Sequence, residues 1–268
     1  MIQKTQKIKW IKFLLIIELL LVGGIWGYSF NSKEINHIGL EQPPTKQTLP
    51  ITKKKPSEVK TFADYQALNK DYIAQLSIEG LIDLPVVQSQ LGDINAAYDQ
   101  YLRTAFDTME HDEEGSIFMD PNNELSDQNL VIYGHNVAKH LDLSMSHKFT
   151  PLHKLKDIKN YAKYQNIQLE LKDETRKYQV AHVYYAKILK DEMGHQSVEP
   201  GSEYLLPRYS ASQLETYLEY VSGSEFYDTG VEITSQDRFL TLQTCVDHHD
   251  DLRLIIIAKE IGEENHES

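Results

Sequence analysis

The chain has a single thiol, Cys245, at the end of the run Phe239-Leu240-Thr241-Leu242-Gln243-Thr244-Cys245. Alternation along an extended segment puts Leu240 and Leu242 on one face and Thr241, Gln243 and Cys245 on the other. One cysteine cannot pair within its own chain, so it is either a small buried hydrophobe or a reactive group. Its strand-end position, ahead of the polar loop Asp247-His248-His249-Asp250-Asp251, keeps the reactive reading level with the buried one. A nucleophilic thiol needs a proton acceptor or a cationic neighbour, because an ordinary thiol is mostly un-ionised at neutral pH. His135, in Tyr133-Gly134-His135-Asn136, ends a predicted strand where a glycine lets the backbone turn and present the ring. Arg253 lies eight residues beyond Cys245. A hairpin would return it beside the thiol, where a guanidinium can donate to a developing oxyanion. Taken singly, such a histidine could merely satisfy a loop, and such an arginine could merely decorate a strand edge. His248 and His249 point to opposite sides of an acidic turn and read as solvated. Neither His135 with His140 nor the run 247–251 has the spacing of a zinc or calcium site, so no metal is expected.

Strands with a few helices must position these groups. Phe62, Tyr65, Leu68, Tyr72 and Ile73 recur at helical spacing and predict an amphipathic helix. Leu76-Ser77-Ile78 and Pro85-Val86-Val87 predict two short strands around the Glu79-Gly80 turn. Ser116 to Asp120 and Leu130 to Asn136 are further strands. Ile167, Leu169 and Leu171 alternate with Gln168, Glu170 and Lys172, the period of a half-buried strand. Tyr178 to Ile188 reads the same way, with Val180, His182, Tyr184 and Ala186 on one face. Between strands, Leu214, Tyr217, Leu218 and Val221 fall at helical spacing after Ser210 or Ser212, either of which can cap, and predict a helix. Leu252 to Ile261 is almost continuously apolar, as in a strand buried on both faces. The fold class is mostly β, an antiparallel barrel or closed sandwich with peripheral helices.

Composition fixes the class and the address. Of 268 residues, 40 are acidic and 27 basic, giving a net charge of −13, which argues against binding nucleic acid through its phosphates. A hydrophobic fraction of 41% supports a packed core. Residues 13–30 form an apolar stretch, broken by Glu18 and preceded by Lys4, Lys7, Lys9 and Lys12. That pattern predicts one transmembrane helix used as an uncleaved anchor, with the N-terminus cytoplasmic and the rest of the chain outside the cell membrane. A cleaved signal peptide fits less well, since Trp26-Gly27-Tyr28-Ser29 lacks a small-x-small site. Residues 31–60, with Pro43, Pro44, Pro50, Pro56 and Lys53-Lys54-Lys55, predict a flexible stalk. The folded domain is then 61–268.

Together these pieces resemble the sortases, membrane-anchored cysteine transpeptidases of Gram-positive bacteria. That family pairs a Thr-Leu-x-Thr-Cys strand with an upstream histidine and a downstream arginine. Here they are Thr241-Leu242-Gln243-Thr244-Cys245, His135 and Arg253. Tyr133-Gly134-His135-Asn136, Gly115 to Asp120 and Ile82 to Gln88 are similar to class B wording. Gln243 departs from the serine common in that class, and Val137 to Lys156 lacks its Met-Phe-Gly segment. The resemblance implies an eight-stranded β-barrel and no cofactor. It implies that Cys245 attacks the scissile carbonyl of a sorting signal, that His135 acts as general acid and base, and that Arg253 orients substrate and stabilises the oxyanion. Thr244, Asn136 and Gln243 are the implied substrate contacts. The implied partners are a secreted protein or pilin bearing the signal, and an amine acceptor on a peptidoglycan precursor or a pilin. The alternative is an idle membrane-tethered scaffold that binds sorting signals or pilins.

Overall fold

The computed structural model describes residues 60–136, 148–190, 196–198 and 205–262. The apolar stretch 13–30, the stalk up to residue 59 and His140 lie outside them. Among the described residues, no helix is long and apolar enough to cross a membrane. The described strands are β1 (Tyr72–Ile78), β2 (Ile82–Val87), β3 (Ile117–Met119), β4 (Asn129–Tyr133), β5 (Asn166–Glu170), β6 (Thr175–Lys190), β7 (Gln196–Val198), β8 (Phe239–Val246) and β9 (His249–Ile261). Among the described residues four α-helices accompany them: α1 (Phe62–Leu68), α2 (Ile94–Leu102), α3 (Tyr161–Tyr164) and α4 (Ala211–Ser222).

Eight strands form a ring in the order β5-β1-β2-β3-β4-β8-β9-β6, which the β5–β6 pairing closes, while β7 pairs only with β6. This is the expected eight-stranded barrel, and closure leaves the ring no free edge. Pairing is antiparallel except for β2–β3 and β4–β8. Leu76, Ile78, Ile132, Leu240, Leu242, Leu254 and Ile256 fill the interior. A second apolar layer lies outside, where Leu214, Tyr217 and Val221 of α4 pack with Tyr184, Ile255 and Ile257. Leu254 to Ala258 of β9 are therefore buried on both faces, which explains that unbroken apolar run. α4 starts where the sequence indicates: Ser210 accepts from the Gln213 N–H while the Gln213 side chain accepts from the Ser210 N–H.

Two expectations give way to local geometry. Tyr72 and Ile73 belong to β1, not to the first helix, because α1 ends at Leu68 and Asn69 is extended. Their apolar spacing is nonetheless meaningful, since the Tyr72 ring lies 4.8 Å from that of Phe62 and 5.0 Å from that of Tyr65. The helical period marks a contact between two elements. In β6 a register shift between Val180 and His182 breaks the predicted single face. Val180 and Val183 point into the barrel, whereas Ala181, Tyr184 and Ala186 join the outer layer under α4.

Candidate active site

The β8–β9 hairpin sets Cys245 directly opposite Arg253. One residue later the register shifts, so that Val246 faces His249, and the regular ladder ends at the thiol. One guanidinium nitrogen of Arg253, Nη1, donates to the carbonyls of Leu252 at 2.8 Å and Asp250 at 3.3 Å, which fixes how the head group leaves the strand. On the other side of β8, β4 runs parallel with Tyr133 level with Gln243. Gly134 N–H continues the ladder to the Gln243 carbonyl at 3.1 Å. β4 ends at Tyr133, and His135 follows two residues beyond it, on the side of β8 that carries the ladder toward Cys245.

Two glycines permit this arrangement. A Cβ on Gly134 would lie 2.7 Å from Cγ and Cδ2 of Phe149, whose ring is fully buried against that backbone. Phe149 N–H donates in turn to the His135 carbonyl at 3.0 Å. Gly115 has φ +55°, and a Cβ there would lie 2.4 Å from the Leu102 carbonyl oxygen, so only glycine lets the end of α2 come so close. That same carbonyl accepts from His135 Nε2 at 2.7 Å. Since a carbonyl only accepts, the ring proton sits on Nε2, and Nδ1 is the nitrogen left to exchange a proton.

His135, Cys245 and Arg253 line one cleft of about 540 Å³, together with Gln243 and Thr244. Five of the six site residues expected from sequence thus meet in one place. Thr244 is 2% exposed, and its hydroxyl has no hydrogen-bond partner among the described residues. Asn136 does not line the cleft: its Nδ2 donates to the Cys245 carbonyl at 3.1 Å.

Three contributors escape the sequence reading. Tyr98 and Tyr133 form an aromatic wall, and both donate to Asp120 Oδ2, at 2.7 and 2.8 Å. Burial, reinforced by the Asp120 charge, pushes both phenols above their ordinary value, so they remain neutral donors at physiological pH. Tyr98 was findable: Asp93 caps α2, and Ile94, Ala97, Tyr98, Tyr101 and Leu102 fall at helical spacing. His153, from the 3₁₀ segment Thr150–Lys156, places Nε2 3.0 Å from the Cys245 carbonyl oxygen. Nothing local in sequence marks that contact.

A family model for the sortase domain matches residues 77–261. The chain belongs to the sortase family. It is 26% identical to sortase B of Staphylococcus aureus over 269 residues, an alignment covering 93% of this chain and 97% of that relative. The crystal structure of Clostridium perfringens sortase B is similar at TM-score 0.60 and 28% identity, covering 75% of this sortase and 99% of that chain. A Staphylococcus aureus sortase B–substrate complex gives TM-score 0.58 at 26% identity, covering 75% and 85% respectively. These likenesses set this sortase in class B and make it a cysteine transpeptidase.

Proposed function

We propose that Cys245 is the nucleophile of this sortase, His135 its general acid and base, and Arg253 its substrate-orienting and oxyanion-stabilising group. The observation that carries the reading is the register: Arg253 is paired across β9 with Cys245, and His135 follows the end of a strand parallel to β8. The Cys245 thiol gives its proton to His135 Nδ1 as its sulfur attacks the carbonyl carbon of the scissile peptide bond of a sorting signal, forming a tetrahedral oxyanion. Arg253 donates to that oxygen. Collapse breaks the C–N bond, and His135 Nδ1–H protonates the departing amine, leaving a thioester on Cys245. An incoming amine then attacks the thioester and gives its proton to His135. The new amide leaves and the thiol is regenerated. Throughout, the Nε2–H bond to Leu102 holds the ring in one tautomer and one orientation.

Gln243 supplies a polar contact to the substrate backbone beside the Tyr98–Tyr133 wall, whereas Thr244, with its hydroxyl shut away from solvent, only lines the cleft. The Staphylococcus aureus sortase B complexed with substrate supports a sorting-signal peptide as the acyl donor. The acceptor is an amine of a peptidoglycan precursor or of a pilin. Residues 13–30 anchor the enzyme to the cell membrane in a single pass and 31–60 form its stalk, with residues 61–268 extracellular; the lysines before the apolar stretch support that orientation.

The test compares wild type with Cys245→Ala in transfer of a sorting-signal peptide to triglycine or to a lysine side chain. The variant should melt as wild type does and transfer nothing. Full transfer by Cys245→Ala overturns the reading.

A further inference from the structure

We infer that Asn136 and His153 are positioning residues for the thiol, their side chains supplying the ladder rung that β4 stops short of giving Cys245. The regular parallel ladder would run from Gly134 N–H to the Gln243 carbonyl, then from Asn136 N–H to the Cys245 carbonyl. The first of these bonds is present at 3.1 Å. β4 ends at Tyr133, however, and the chain turns away, with Phe149 N–H closing on the His135 carbonyl at 3.0 Å. Two side chains meet the Cys245 carbonyl oxygen in place of the backbone. Asn136 Nδ2 donates at 3.1 Å and His153 Nε2 at 3.0 Å, the two nitrogens lying 3.2 Å apart. A carbonyl oxygen has two lone pairs and accepts both donors.

The position of this rung gives it its importance. On the β9 side the register breaks between Cys245 and Val246. Without the side-chain donors, the nucleophile-bearing peptide would be tied on one flank only, at the point where a bulge already loosens it. His153 is well suited to hold it, because its segment carries Pro151 in the first turn and buries Leu152 and Leu155 in the barrel core. Burial holds the His153 ring below the ordinary histidine value. The Cys245 carbonyl bond opposes that shift, Lys156 adds to it, and Asp247 opposes it. The neutral ring with its proton on Nε2 is a sufficient donor.

The inference rests on Cys245 being the nucleophile, so Cys245→Ala is run in the same assay. His153→Gln keeps an N–H donor of similar reach, whereas His153→Met fills the space without one. For peptide transfer, His153→Met should lower kcat about tenfold with KM within about twofold, the effect of one lost hydrogen bond. His153→Gln should restore kcat to within about threefold of wild type. Asn136→Asp, which keeps the shape but sets an acceptor against the carbonyl, should lower kcat at least as far. Equal kcat losses in the Gln and Met variants would mean packing alone and would overturn the inference. So would a rise in KM at unchanged kcat, which would mean substrate contact. Unchanged kcat in Asn136→Asp overturns it even if His153→Met does not fold. Full transfer by Cys245→Ala removes the nucleophile reading itself, a result separate from any of these.

Discussion

Gly134→Ala tests how tightly the barrel core is coupled to the site. The added Cβ would lie 2.7 Å from Cγ and Cδ2 of Phe149 and 2.8 Å from Cγ2 of Ile117. Carbon atoms prefer separations of about 3.5–4.0 Å, so these neighbours must retreat by roughly 1 Å. Phe149 is 0% exposed and Ile117 1%, which leaves little room to do so. Overpacking of this kind destabilises by about 1–3 kcal/mol. In a domain of this size each kcal/mol lowers Tm by about 2–4 °C, so a fall of roughly 2–12 °C is expected. The site is affected through two hydrogen bonds, since Gly134 N–H holds Gln243 and Phe149 N–H holds His135. A 1 Å displacement of a catalytic group can reduce the rate roughly 100-fold, so kcat/KM should fall between about 10-fold and 100-fold. The assay is a thermal melt together with steady-state peptide transfer. Phe149→Leu in the same chain should restore part of both by making room for the methyl group. Unchanged Tm with kcat/KM within twofold of wild type would refute the packing argument.

Arg253→Lys should lose at least about tenfold in kcat/KM with unchanged melting, because an ammonium cannot reproduce the planar fork. Near-wild-type turnover would move Arg253 out of the chemistry. His153 has a folded-state pKa below its unfolded value near 6.5, so the unfolded chain takes up the proton more readily. Its influence on stability is absent well above pH 6.5 and becomes destabilising as pH falls through 6.5 towards the folded value. Tm should therefore fall less between about pH 7.5 and 5.5 in His153→Gln than in wild type; equal falls would contradict the shift. A chain starting at Lys60 should be soluble and transfer peptide at the full-length rate. A folded but inactive truncation would give the N-terminal segment a role beyond tethering.

What was legible in the sequence was whatever local period and chain order encode. The alternation up to Cys245 and the polar loop beyond it predict the β8–β9 hairpin, and the hairpin alone brings Arg253 opposite the thiol. The continuous apolar run of β9 likewise announces two covered faces, and α4 with the barrel core provides them. The missed features are non-local. The β6 bulge reverses which residues face inward without any change in apolar spacing, because both faces are covered there and both accept hydrophobic residues. Tyr72 continues the helical period of α1 from the neighbouring strand, since contact across a turn can mimic contact along a helix. His153 meets a carbonyl 92 residues away, and it does so where a backbone rung is missing, an event no spacing rule records. Asn136 sits beside the histidine in sequence, which suggests the cleft, yet its amide faces the strand behind the thiol.

The most direct test is intact-protein mass spectrometry of the chain from Lys60 onward, incubated with a sorting-signal peptide library with and without amines. Cys245 should carry a thioacyl adduct that triglycine or a lysine amine discharges into ligated product. A folded protein whose thiol still alkylates, but which forms no adduct with any peptide while transfer proceeds, would contradict this.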